Sequence, residues 1–228
     1  MQALLQQIWS ENRVRNLGLL LVFVVLLQFG YPITLDGRLQ TALYMLLYVG
    51  MIFFGIMTAR EERQPRMIVA GLGIVFFFFA IWFTIAQDSR DAALSMLASL
   101  AAFSLALMVS LMRFIFRRVR VAGAGLILAA VCIYLIMGGF FSATFSILEI
   151  AQPGSFEDTQ LAGQSLAWQQ LMYYSYVTMA TLGYGDIVPV TPWARSLASF
   201  EGVAGTLFLT IVIARLVGVW TRFRAESS

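Results

Sequence analysis

Six stretches of this chain, Asn16 to Thr34, Gln40 to Ala59, Met67 to Ala86, Ala92 to Met112, Ala122 to Leu148 and Pro192 to Trp220, are apolar throughout, and the first five hold no charge at all. A helix rises about 1.5 Å per residue, so each run is long enough to cross a hydrocarbon layer roughly 30 Å thick. Core helices of soluble proteins rarely sustain such runs. With 60% hydrophobic and 12% charged residues, the chain also has too little polar surface to enclose them in water. The expected fold class is an all-α membrane protein with six transmembrane helices. The first run is too long for the apolar part of a signal sequence, and no small-residue cleavage pattern follows it, so it is expected to remain as a span.

All 15 basic residues are arginines. If the spans alternate, twelve of them fall on one side and only Arg38, Arg90 and Arg195 on the other, which places both termini in the cytoplasm. The cytoplasmic cluster Arg117, Arg118 and Arg120 is placed to meet anionic lipid headgroups. The carboxylates lean outward, with Glu149, Glu157, Asp158 and Asp186 near one another in sequence, and a concave mouth lined by negative charge raises the local cation concentration. Residues 1 to 15 carry Leu4, Leu5, Ile8 and Trp9 at helical spacing, the pattern of a short amphipathic segment in the membrane interface.

Several chemistries are excluded by what is missing. There is no histidine, so no Ser-His or Cys-His pair and no histidine-held zinc exists. The segment Glu61-Glu62-Arg63-Gln64-Pro65-Arg66 resembles the first motif of intramembrane CAAX-type proteases, but those enzymes need histidines for their metal. The single cysteine, Cys132, rules out a disulfide within the chain. An enzyme is not expected, no cofactor is expected, and nothing points to nucleic acid.

Between the fifth and sixth runs lies a segment of another kind, Glu149 to Thr191. It is too polar to cross the membrane, yet LAWQQLMYYSYVTMA within it reads as a helix of about three turns. Irregular backbone at membrane depth is tolerated only where protein or a water-filled cavity satisfies it. A half-membrane helix followed by TLGYGD therefore reads as a re-entrant loop lining a pore.

The TLGYGD stretch, Thr181 to Asp186, resembles the selectivity filter of potassium channels, and Met172 to Gly218 is similar throughout to the pore helix, filter and inner helix of prokaryotic members of that family. The resemblance covers roughly the last hundred residues; the first four runs carry no motif of their own. It implies a passively conducting channel whose permeant ion is K+, a division into residues 1–15, a four-helix membrane domain over 16–120 and a pore domain over 121–228, and a homotetramer, because one chain supplies one strand of the filter and four close the ring. A potassium transporter subunit repeats a degenerate filter four times in one chain, whereas this chain has one, and it is intact. A non-selective cation channel usually lacks the Tyr or Asp of the signature.

Stripping water from a cation is costly, so such a filter supplies rings of replacement oxygens. The resemblance assigns these to Thr181, Leu182, Gly183, Tyr184 and Gly185, with K+ held at the first four. Turning successive carbonyls to one axis requires alternating backbone handedness, which Gly183 and Gly185 adopt without steric cost. Leu182 stands where valine is commoner. Tyr184 is expected to pack outward against Tyr173 and Tyr174, Asp186 to accept a hydrogen bond from Tyr173, and Thr178 to support the filter from the end of the pore helix.

On the sixth run, Thr206, Leu209, Ile213 and Val217 recur on one face and are expected to line the inner cavity and its gate. Gly205 stands where the family places a hinge, with close helix packing as the other reading of Gly202 and Gly205. Glu201 is an ionisable group inside a span, which is costly without a partner; it is expected behind the filter, bonded to pore-helix hydroxyls. The fourth run contains no charge, so the channel is expected not to be voltage-gated. Only eight residues follow Trp220, and any ligand-sensing module is expected outside these residues.

Overall fold

The computed structural model of the protein describes residues 2–36, 38–59, 63–117, 124–160, 163 and 166–226. Seven helices account for nearly all of it: α1 (Gln2–Phe29), α2 (Arg38–Thr58), α3 (Arg63–Ile85), α4 (Arg90–Arg117), α5 (Ala124–Ala151), α6 (Trp168–Met179) and α7 (Pro192–Glu226). A 3-10 turn, Tyr31–Asp36, joins α1 to α2. The first apolar run stops being α-helical at Phe29, just ahead of Pro32, which has no N–H to continue the α-helical ladder.

Among the described residues five helical segments are long and apolar enough to cross a membrane: Asn12–Phe29, Gln64–Ile85, Arg90–Phe116, Ala124–Ala151 and Pro192–Gly218. The second run forms the shorter apolar segment Ala42–Thr58 within α2. Helix α1 is unbroken from Gln2 to Phe29, so no backbone break separates the expected interfacial segment from the span, and the side chains of Leu4, Leu5, Ile8 and Trp9 lie outside the described residues. Arg118 and Arg120 also lie outside them, and of Arg117 only the backbone is described.

The helices pack in sequence, α1 on α2, α2 on α3 and α3 on α4, and both α4 and α1 then close onto α5. Their buried faces follow helical spacing. Leu17, Leu20, Val24 and Leu27 are at most 1% exposed on α1, and Leu100, Phe103, Leu107, Leu111 and Ile115 make the corresponding stripe on α4. Aromatic contacts tie the layers: Phe76 on α3 lies 4.9 Å from the Tyr48 ring of α2 and 6.2 Å from the Phe103 ring of α4. The opposite faces are just as apolar, with Ile74, Phe78 and Ile85 exposed, the arrangement of helices solvated by lipid.

Helix α5 is the keystone of the packing. It contacts α4 and α1 on one side and α6 and α7 on the other. After it, the strand β1 (Phe156–Asp158) pairs antiparallel with β2 (Ile187–Pro189), Phe156 opposite Pro189 and Asp158 opposite Ile187. This two-stranded ribbon is an addition to the expected all-α fold, and it brackets α6 and the loop that follows.

Candidate functional site

Helix α6 is 12 residues long, too short to span, and its ends are defined by hydrogen bonds. At its start the Gln170 side chain accepts the Ala167 N–H at 2.9 Å and donates to Asp158 at 3.1 Å. At its end the Ala180 N–H reaches the Tyr176 carbonyl at 2.9 Å, the Thr181 N–H the Thr178 carbonyl at 3.0 Å, and the Leu182 N–H the Val177 carbonyl at 2.9 Å. The last-turn carbonyls that a helix leaves unpaired are in this way occupied, and the chain leaves α6 in a fixed direction.

The backbone then alternates. Thr181, Gly183 and Gly185 have φ of 58°, 56° and 79°, while Leu182 and Tyr184 keep ordinary negative values. For the two glycines this was expected. Thr181 was not, because a β-branched residue at positive φ is an outlier that glycine-based reasoning does not find. The hydrogen bonds at the end of α6, one made by its own N–H and one by the next, hold it there. All five residues from Thr181 to Gly185 are exposed within the chain, Leu182 to 58% and Tyr184 to 67%, so among the described residues no other part of the same chain covers this stretch.

The outer end of the loop is tied down more firmly than the sequence indicated. Tyr173 donates its hydroxyl to Asp186 at 2.7 Å, as expected, and the Ile187 N–H reaches the other carboxylate oxygen at 3.0 Å. The Thr159 N–H and hydroxyl both reach the Asp186 carbonyl, at 2.7 and 3.0 Å. Behind the ribbon, the Glu149 carboxylate at the end of α5 accepts the N–H of Gly154 at 2.9 Å and of Phe156 at 3.1 Å. Glu149 and Thr159 are supporting residues that sequence reasoning missed. Glu149 was counted only as outward negative charge; the one available signal was the Pro153-Gly154 turn just after it, where Gly154 has φ of 81°.

Tyr174 does not take its expected place beside Tyr184. It is buried, with its ring edge-on to Phe145 of α5 and Phe156 of β1, 5.3 Å from each. Successive helical residues point about 100° apart, so Tyr173 and Tyr174 cannot both face the loop; Tyr173 does, and Tyr174 anchors α6 from behind. Thr178 is half-buried one turn before the loop and contributes its carbonyl to the Thr181 N–H.

Helix α7 buries Glu201, Gly205, Phe208 and Val212 on one face and exposes Thr206, Leu209, Ile213 and Val217 along an adjacent one, so the four residues expected to face a cavity do share an uncovered stripe. Gly205 is a close-approach position in this structure: a Cβ there would lie 2.8 Å from Met179 Cγ and 3.2 Å from its carbonyl oxygen. The helix runs through it unbroken from Pro192 to Glu226. Glu201 is fully buried against the Ser175 hydroxyl of α6.

Comparison with known proteins falls on this same part of the chain. The family model described as "Ion channel" matches residues 129–222. The inward rectifier potassium channel Kirbac3.1 of Paramagnetospirillum magnetotacticum is 30% identical over 94 residues, 40% of this chain and 28% of that protein. Two-pore potassium channel 5 of Arabidopsis thaliana is 44% identical over 46 residues, 20% of this chain and 11% of the relative, and two pore potassium channel c of Oryza sativa subsp. japonica is 36% identical over 84 residues, 37% and 16%. The chain thus covers less than a third of each of these relatives' own length. No solved structure matches it. The matched stretch holds most of α5 together with α6, the alternating loop and nearly all of α7, and it is through this stretch that the chain is similar to ion channels.

Proposed function

We propose that this protein is a potassium-selective channel built from four copies of the chain, with six spans per copy, both termini in the cytoplasm, and Thr181 to Gly185 of each copy lining a shared axis. The observation that carries the reading is the alternation of positive and negative φ through Thr181, Leu182, Gly183, Tyr184 and Gly185 at the end of a half-depth helix. That alternation aims successive carbonyls the same way, which is what replacement of a cation's water requires. No cofactor is needed; the ion is cargo. In liposomes the purified protein is expected to pass K+ and Rb+ far better than Na+, and equal K+ and Na+ fluxes would sink the proposal.

The first four helices act as a scaffold in this reading, with residues 16–120 bracing a pore domain over 121–228 and the cluster Arg117, Arg118 and Arg120 meeting anionic lipid. Moving one elementary charge through 100 mV contributes only about 2.3 kcal/mol, so steep voltage gating needs several charges in a span. Between Ala92 and Met112 α4 has none. Single-channel open probability is therefore expected to vary weakly with membrane potential, and a steep curve equivalent to several gating charges would refute this.

Asp186 makes the outer mouth sensitive to acid. The Tyr173 hydroxyl bonded to it holds the Asp186 carboxyl below its ordinary value, with the Ile187 N–H adding to the effect, and the same bond pushes the Tyr173 phenol up to about 12. A carboxyl whose value is lowered on folding stabilises the fold above its ordinary range and loses that contribution as pH falls through the lowered value. Removing the hydroxyl in Tyr173→Phe is expected to move the onset of external acid block to higher pH. An unchanged onset in a titration of outside pH would show that this bond does not set it.

A further inference from the structure

Ser175 sits in the middle of α6 with no solvent exposure, and its single hydroxyl meets two oxygens. One is the backbone carbonyl of Gly138 on α5, at 2.8 Å; the other is Oε1 of Glu201 on α7, itself 0% exposed. A serine hydroxyl carries one proton and a backbone carbonyl can only accept. If Ser175 gives its proton to Gly138, the contact with Glu201 is a hydrogen bond only when the carboxyl brings a proton of its own. The surroundings offer nothing to hold a carboxylate instead. The titratable groups facing Glu201 are phenols, Tyr134 on α5 and Tyr174 and Tyr176 on α6, and among the described residues no arginine is set against it. Its second oxygen is buried without a hydrogen-bond partner, a smaller penalty for the carbonyl of an acid than for half of a carboxylate.

We propose that Glu201 serves as a neutral carboxylic acid, a positioning residue that donates to Ser175 while Ser175 donates to Gly138, so that one proton relay ties α7, α6 and α5 together. Ser175 lies six positions before Thr181, on the helix whose end aims the alternating loop. A turn further along α7, Gly205 seats on Met179 at the last residue of the same helix. The inner helix therefore holds the pore helix at two points, one polar and one steric, and motion of α7 reaches the loop through them. The functional part of this inference rests on the channel reading above.

The test separates a neutral donor from a charge. Glu201→Gln keeps the shape and an N–H donor toward Ser175; Glu201→Leu keeps bulk and loses the donor. Glu201→Gln is expected to retain wild-type K+ flux with an unchanged pH profile, and Glu201→Leu to lose at least about fivefold, as for a missing buried hydrogen bond. A glutamine variant as damaged as the leucine variant would show that a carboxylate charge is required and overturn the proposal; a leucine variant equal to wild type would also overturn it. Infrared difference spectra of wild type against Glu201→Gln in lipid are expected to show the carbonyl stretch of a protonated carboxyl, and its absence would count against the relay directly. That arm does not depend on conduction, so a wild-type protein that passes no K+ would fail the channel reading while the spectrum still decided the relay.

Discussion

Gly183→Ala is expected to abolish selective K+ conduction while leaving the assembled protein intact. Gly183 has φ of 56°, and a Cβ built there meets nothing within 4 Å, so the substitution is opposed by backbone strain alone and not by collision. An L-residue at positive φ costs about 1–2 kcal/mol, roughly 4–8 kcal/mol around the ring of four chains proposed above. Thr181 shows that a side chain is tolerable at φ of 58° where hydrogen bonds enforce it. Gly183 has no such restraint: among the described residues, no loop hydrogen bond involves its N–H or carbonyl. The strained peptide is therefore free to relax by rotating to negative φ, which turns the adjacent carbonyl away from the axis. Size-exclusion profiles matching wild type, together with K+ flux at background, are the expected pair of results; unchanged K+ selectivity would show that the loop assignment is wrong.

Gly138→Ala is expected to damage the same site from behind. A Cβ at Gly138 would lie 2.4 and 2.7 Å from the Tyr176 ring, well inside ordinary contact, which begins near 3.4 Å. That ring cannot easily yield. Its hydroxyl donates to the Leu135 carbonyl at 2.7 Å, and the Phe29 ring of α1 packs against it, tilted, at 5.8 Å. The remaining relief is for α6 to back away from α5, which strains the Ser175 contacts and moves the base of the loop. Overpacking of this kind costs about 1–3 kcal/mol per chain. The thermal unfolding midpoint in detergent should fall and K+ flux should drop with it. Adding Tyr176→Leu, which vacates the space, should recover part of the stability, and a double variant no better than the single one would show that this notch is not where the damage arises.

Part of this protein is legible in its sequence alone. The apolar runs Met67 to Ala86 and Ala92 to Met112 became α3 and α4 because a backbone in lipid must satisfy its own N–H and carbonyl groups, and a helix does so within one segment. Gly183 and Gly185 were legible for a similar reason: positive φ is a property of a single residue, and glycine is where it is free. The Tyr173 to Asp186 bond followed from the resemblance once the loop was recognised, and the mid-helix Tyr173 hydroxyl does meet that carboxylate.

What the sequence by itself could not determine is which faces meet. Adjacent tyrosines look alike on paper, and only the packing of α6 against Phe145 and Phe156 sent Tyr174 inward while Tyr173 met the loop. Glu149 and Thr159 lie 37 and 27 positions before Asp186, and their roles exist only because β1 pairs with β2. Gly205 was similarly ambiguous, since a glycine in a helix is compatible with bending or with close approach, and only the packing shows that it lies close to Met179; Gly138, close to Tyr176, gave no signal in the sequence. Local backbone preference and the demand of lipid act along the chain and can be read from it, whereas side-chain contacts between helices depend on rotation and register, which are set only when all the faces compete for burial together.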